Sequence, residues 1–382
     1  MARKVDARRV YCSGLFVIAC LLGASPLSAQ PSPGRLPTPE RLLREAYART
    51  KSALREADLT EVIRMCRQAR QSNPSHEVAA YADQLSAWAH NRRGELYADQ
   101  AAQLAEQAQA VDLERRAVAE FDAAIALDPQ NWKPLHNRGV SRALAKQWHA
   151  ACEDFSGVLQ RKPGHANAWF NRGEVRAELG ERDLAIADYT RAIELKAEDV
   201  DAYRRRGQVY FQLRMYREAL ADFERAVELA PQQPAPLLDR GDAYRSLGRW
   251  QQAAEDYRQA VALDPRHGRA YQSAAWIMAT CPLDRYRNAD LAVQAAEKAL
   301  ELDGRDDPRY LDTAAAAYAN AGQFEKACQT LTEAIRHIPA RDAAAPPASA
   351  GQAEALRQRL ERYRRQQPYR EPQPTETAAA GF

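Results

Sequence analysis

The stretch NRGEVRAELGERDLAIADYTRAIEL, residues 171–195, decides how this chain is read. Arg172-Gly173 is followed sixteen residues later by Asp188 and Tyr189. The same pattern returns at Arg138-Gly139, Arg206-Gly207 and Arg240-Gly241, each 34 residues from the next. A fixed period means one supersecondary unit copied in series, each copy covering its apolar face with its neighbours. In rows of 34 beginning at Trp132, Ala166, Val200 and Pro234, column eight is always Gly, and column twenty holds Ala151, Ala185, Ala219 and Ala253. Column twenty-four holds Phe155, Tyr189, Phe223 and Tyr257, and column thirty-two holds Pro163, Ala197, Pro231 and Pro265.

Each column has a mechanical reason. The small residues at eight and twenty are expected to face each other where two antiparallel helices cross. The aromatic column and the small residue three positions later share one buried helical face. Proline at thirty-two stops the second helix, and Gly180 and Gly248 sit where the first must end. These columns resemble the tetratricopeptide repeat, in its bacterial, exported form. The resemblance implies an all-α fold: an α-solenoid of antiparallel helix hairpins in a right-handed superhelix, with a C-terminal capping helix. It also implies a protein-interaction scaffold and no enzymatic activity.

Composition shifts divide the chain. Residues 1–29 read as a signal peptide, with Arg3, Lys4, Arg8 and Arg9 ahead of a short apolar run, and cleavage is expected after Ala29. Cys20 within VIAC is an alternative lipidation site, and an uncleaved anchor a further one. Either would bring the chain to a membrane; otherwise it is expected to be exported to the periplasm or cell envelope. Residues 30–42 read as a Pro-rich lead-in and 43–76 as a degenerate helical repeat. The array is expected over 77–341: a long first row 87–131, regular rows 132–267, an interrupted row 268–306 and a last row 308–341. The long row exceeds the period by eleven residues without Gly or Pro, so both its helices should be longer. Residues 342–367 read as linker and capping helix, with Leu356, Leu360 and Tyr363 on one stripe. Residues 368–382 read as a disordered tail.

Charge and chemistry narrow the function. The whole chain's net charge of +3 resides in residues 1–29, leaving the remainder near neutral. That gives no long-range attraction for nucleic acid, and none is expected as a partner. Cys66, Cys152, Cys281 and Cys328 lie far apart with no CxxC, so neither a zinc spacing nor a disulfide pairing follows. The seven histidines form no HExxH, and nucleophile and phosphate-loop motifs are absent. No catalytic residue, cofactor or metal is expected.

The arginine column answers to the acids. Arg138, Arg172, Arg206 and Arg240 accompany Asp154, Asp188, Asp222 and Asp256, and Arg93 accompanies Glu120. The two terminal rows carry Ala274 with Ala295 and Ala314 with Thr330. Arginine and acid come and go together, which suggests structural ion pairs within a hairpin or between adjacent hairpins. Columns two, five, six, nine and twelve should project into a concave groove. His136, Asn137, Phe170, Asn171, Arg204, Arg205, Gln208, Phe211, Asp239 and Trp276 are the candidates for binding a peptide or protein partner there. The carboxylate clamp of some co-chaperones is not matched, since His136, Val140 and Asp201 stand at three of its five positions. The alternative is a permanent structural subunit of a cell-envelope assembly or secretion complex.

Overall fold

A computed structural model describes residues 38–53, 55–104, 107–338 and 347–373. The expected signal peptide with Ala29 and Cys20, the linker up to 346 and the last nine residues, 374–382, lie outside these. The described residues form seventeen α-helices and one short 3₁₀ turn, with no strand. They group into two compact units that divide between Pro163 and Gly164.

The first unit contains α1 (Pro39–Thr50), α2 (Glu56–Gln71), α3 (His76–Gln103), α4 (Gln107–Leu127), α5 (Trp132–Leu144) and α6 (Trp148–Arg161). The expected lead-in is corrected at its end, because α1 starts at Pro39. Thr38 accepts a hydrogen bond from the Arg41 backbone N–H, and a proline in the first turn lacks only a donor the helix would leave unused. Leu42 and Leu43 are buried in a cluster with Leu59, Val62, Met65, Cys66 and Leu85. Both helices of the long row are extended: α3 has 28 residues and α4 has 21.

The second unit contains α7 (Ala166–Glu178), α8 (Arg182–Leu195), α9 (Val200–Gln212), α10 (Tyr216–Leu229), α11 (Pro234–Ser246), α12 (Trp250–Leu263), α13 (Gly268–Thr280), α14 (Ala289–Asp303), α15 (Pro308–Asn320), α16 (Phe324–Arg336) and α17 (Pro347–Arg364). Within it, consecutive helices pack as antiparallel hairpins and each hairpin packs on the next. The interrupted row carries its extra residues as a 3₁₀ turn, Asp284–Tyr286, between α13 and α14. In α17, Leu356, Leu360 and Tyr363 are buried against Leu331, Ala334 and the alanines of α15.

Local signals explain the helix ends. Asp199 accepts from the Ala202 N–H at the start of α9, and Asn288 from the Leu291 N–H at the start of α14. Each first helix of the regular hairpins α7–α8, α9–α10 and α11–α12 ends in a left-handed residue, with a backbone bond closing six residues back to one. Gly180 and Gly248 supply it with φ of 78° and 72°, but Arg214 adopts φ 61° at the same column. In the first unit Lys146 does so with φ 58°.

The column-eight glycines face rings more closely than they face alanines. A Cβ on Gly207 would lie 2.6 Å from Phe223 Cε1, and one on Gly241 2.6 Å from Tyr257 Cε1. The expected Gly–Ala contact is therefore corrected: glycine makes room for the column-twenty-four aromatic, and alanine fits beside it.

Candidate functional site

The arginine column forms forks on carboxylates inside each hairpin. In the first unit, Arg138 Nε and Nη2 donate to the two Asp154 oxygens at 3.0 and 2.5 Å. In the second, Arg172 reaches both oxygens of Asp188 at 2.8 Å, Arg206 both of Asp222 at 2.9 and 2.7 Å, and Arg240 both of Asp256 at 2.9 and 2.7 Å. Arg93 pairs with Glu120 at 2.8 Å, and His90 shares that carboxylate. A third N–H reaches the preceding hairpin: Arg206 Nη1 donates to Thr190 of α8, Arg138 Nη1 to Asp122 of α4, and Arg93 Nη1 to Thr60 of α2. One guanidinium thus joins two helices of its own repeat to one of the previous repeat. Asp222 is only 7% exposed, so these are buried carboxylates with bidentate partners.

The expected groove residues fare differently. In the first unit, Asn137 donates to Asn91 and Glu95, and the His136 ring lies edge-on to Trp132 and Phe155. In the second, Phe170 packs on Tyr189 and Asn171 is half-buried. Arg205 is 41% exposed and lies 3.4 Å from Glu174. Phe211 turns against Tyr216, at the start of its own hairpin's second helix.

Arg204 and Asp239 are corrected as open contact residues, because both are buried. Arg204 Nε and Nη2 bond one Asp239 oxygen at 2.9 and 2.8 Å, while Arg269 donates to the other at 3.0 Å. Gln208 adds a bond to Asp239 at 3.3 Å. This network ties α9, α11 and α13 together. A charge that far from water persists only when its lone pairs are met by donors, so these groups serve the stack.

A polar cavity of about 340 Å³ opens beside α11, α13 and α15. Asp242, Arg245, Arg269, Gln272, Trp276, Arg309, Asp312, Thr313 and Arg359 are among its lining residues. Most are on columns two, five, six, nine and twelve of their rows. Arg359, on the capping helix, grips Asp312 with two bonds at 3.0 and 2.7 Å. Burial pushes the Asp312 carboxyl up to about 6 in spite of that arginine.

Residues 369–371 lie over this face, which corrects the expected disordered tail for residues 368–373. After α17, Gln366 turns the backbone with φ 57°. Tyr369 packs on Trp276 with ring centroids 6.1 Å apart and lies under the Arg359 guanidinium. Arg370 donates to the Ala279 carbonyl and to Asn320. The Glu371 N–H donates to the Thr280 carbonyl at 2.8 Å. Its carboxylate accepts from Arg245 and from Trp276 Nε1. A segment whose composition is that of a coil is thus held by side chains and carbonyls of α11, α13 and α15.

Among the described residues, no group of three or more His, Cys, Asp or Glu side chains is placed to hold a metal ion. The four cysteines are free thiols, and burial pushes that of Cys66 up to about 12, far from a reactive thiolate.

Comparison with known proteins agrees with the hairpin geometry. Tetratricopeptide repeat profiles match residues 173–213, 200–233 and 234–267. Among solved structures, the Cut9-Hcn1 hetero-tetramer of the APC/C is 17% identical, with a TM-score of 0.52 over 84% of this chain and 55% of that one. A tetratricopeptide repeat protein from Parabacteroides merdae is 17% identical, with a TM-score of 0.50 over 69% of this chain and 98% of that one. YrrB, described as a TPR protein with an unusual peptide-binding site, is 21% identical, with a TM-score of 0.42 over 54% and 95%. No curated protein matches the sequence. With its 34-residue hairpins, ring-against-glycine crossings and repeat profiles matching over residues 173–267, the chain carries tetratricopeptide repeats.

Proposed function

We propose that the protein is a non-enzymatic scaffold that holds a peptide or protein partner along the first helices of its second unit. One observation carries the reading: a segment without regular secondary structure, residues 368–371, already lies across α11, α13 and α15. It is held by a backbone hydrogen bond, a tilted ring contact and a charged anchor. Those are the means by which a helical-repeat face takes an extended chain. Half-buried Arg205, Asn171 and Phe211 continue the face toward α9 and α7. Export to the periplasm or cell envelope belongs to the same proposal and rests on residues 1–29.

The test is in-cell cross-linking and capture with the full chain, repeated with Asn171, Arg205 and Phe211 all replaced by Ala. Partners that disappear from the triple variant support the reading. An undiminished set of partners moves the interaction off this face and sinks it.

A further inference from the structure

We infer that Arg245 and Trp276, which line the cavity beside α11, α13 and α15, form an anchoring site for a carboxylate on an extended partner peptide with an aromatic residue two positions before the acid. Tyr369-Arg370-Glu371 engages these two side chains as the chain's own stand-in until such a peptide displaces it, and the cavity stays open beside it. This rests on the scaffold reading and names the ligand chemistry and the control of one part of its face.

The charge pairing around the cavity points to one missing anion. Arg269 is satisfied by Asp239 and Asp242, at 3.0 and 2.8 Å. Arg309 is satisfied by Asp307 at 2.6 Å, and Arg359 by Asp312 at 2.7 Å. Asp242 is itself taken up by Arg269 and by the Tyr257 hydroxyl at 2.7 Å. Arg245 draws its carboxylate from Glu371, 126 residues away and beyond the last helix. The solenoid therefore supplies a directly paired acid for three of these guanidinium groups; Arg245 lies in the field of Asp242 but takes its direct ion pair from an added segment. A half-buried guanidinium without an anion is costly, so the site favours a carboxylate over a neutral group.

The tail fits this site incompletely. Glu371 Oε2 is buried and has no hydrogen-bond partner among the described residues, while Oε1 takes both bonds. Tyr369 and Glu371 stand on either side of Arg370 and present ring and acid to one residue: Trp276 meets the ring at a 46° tilt and donates Nε1 to the acid. A competing peptide that meets both carboxylate oxygens gains over the tail. The tail retains the advantage of being tethered, with an effective concentration of roughly millimolar order.

The experiment uses the full chain and a fluorescein-labelled, end-blocked peptide QPYREPQ, the sequence of residues 367–373. Anisotropy should show the Glu371→Gln variant binding this probe about 10-fold tighter than the unaltered chain, because its internal competitor is weakened. A probe with Gln in place of its Glu should lose that binding, as should the probe added to Arg245→Ala/Glu371→Gln. The Gln probe tests the anchor without altering the protein. Equal affinity for the unaltered chain and Glu371→Gln overturns the stand-in, and equal binding of the Glu and Gln probes overturns the carboxylate anchor. If the probe behaves as expected while cellular partners ignore the triple substitution, the anchor stands and the scaffold reading falls. Lost partners with no probe binding mean the reverse.

Discussion

The hairpin α9–α10 and the hairpin α15–α16 are built on the same column plan but are locked differently. In the first, Arg206 and Asp222 fork together at the crossing, and Arg206 also reaches Thr190 of the preceding hairpin. In the second, Ala314 and Thr330 occupy those columns and are buried. The difference follows from surroundings. The α15 helix packs against α13, α14 and α16, and every residue from Tyr310 to Ala319 is buried. A guanidinium there would have no route to water for its unused N–H groups, so alanine is the smaller cost. Arg206 sits at a half-buried flank, where a charge can be neutralised on one side and hydrated on the other. Ion pairs lock the hairpins with an open flank, and close packing locks the enclosed one.

Removing the lock in α9–α10 is the strongest way to break this contrast. Arg206→Ala leaves the Asp222 carboxylate buried without its fork, and unfolding free energy should fall by about 3 kcal/mol. Asp222→Ala should cost a similar amount, and the double variant much less than the sum. Denaturant unfolding of the four proteins gives the coupling energy directly. A coupling near zero means the two charges merely sit beside each other, and the contrast between the hairpins loses its cause.

At the enclosed end, Asp312 provides the second test, since Arg359 of α17 is the charged lock there. A carboxyl held at about 6, above its unfolded value of ~3.9, adds stability that is complete below about pH 4. That contribution is lost as pH rises through 6. Docking of α17 should therefore weaken between pH 5 and pH 7.5, by on the order of 2 kcal/mol. Amide hydrogen exchange along α17, corrected for the intrinsic pH effect, reads this. Asp312→Asn should flatten the dependence. If the unaltered chain shows no pH effect, Arg359 keeps the acid ionised throughout, and the enclosed end uses the same kind of lock as α9–α10.

What could be read from the residues divides along the same line. Forks, glycine crossings and capping stripe repeat at a fixed period or follow helical spacing, so several copies report on one geometry. The columns that line the cavity were legible as positions: nine of the twelve lining residues occupy columns two, five, six, nine or twelve. The contacts that use those columns were not. Arg204–Asp239 and Arg245–Glu371 each occur once, and no second copy marks Arg204 as buried or Glu371 as an anchor. PYREPQ has the composition of a coil, and only the finished surface of α11, α13 and α15 selects one of its conformations. Thr38 and Pro39 were a readable start for α1, obscured by the prolines before them.

The turn inside each hairpin offers the finest test, because it is shared by both kinds of lock. Gly180, Gly248 and Gly322 hold φ between 72° and 78°, whereas Arg214 holds 61° with a side chain attached. The closing bonds are alike: Met215 N–H reaches the Tyr210 carbonyl at 2.9 Å, and Gln323 N–H reaches that of Tyr318 at 2.8 Å. A left-handed non-glycine residue costs about 1 kcal/mol, part of which glycine's freer unfolded chain takes back. Arg214→Gly should therefore stabilise the protein by about 0.5 kcal/mol, visible as a raised denaturant midpoint at unchanged slope. Arg206 lies eight residues away along the chain, about 12 Å of helix rise, so the gain should persist when Arg206→Ala is also present. If the gain instead vanishes with the fork, the guanidinium sets the turn as well as the crossing. Hairpins with and without a fork would then differ in backbone conformation as well as in the side chains that fasten them.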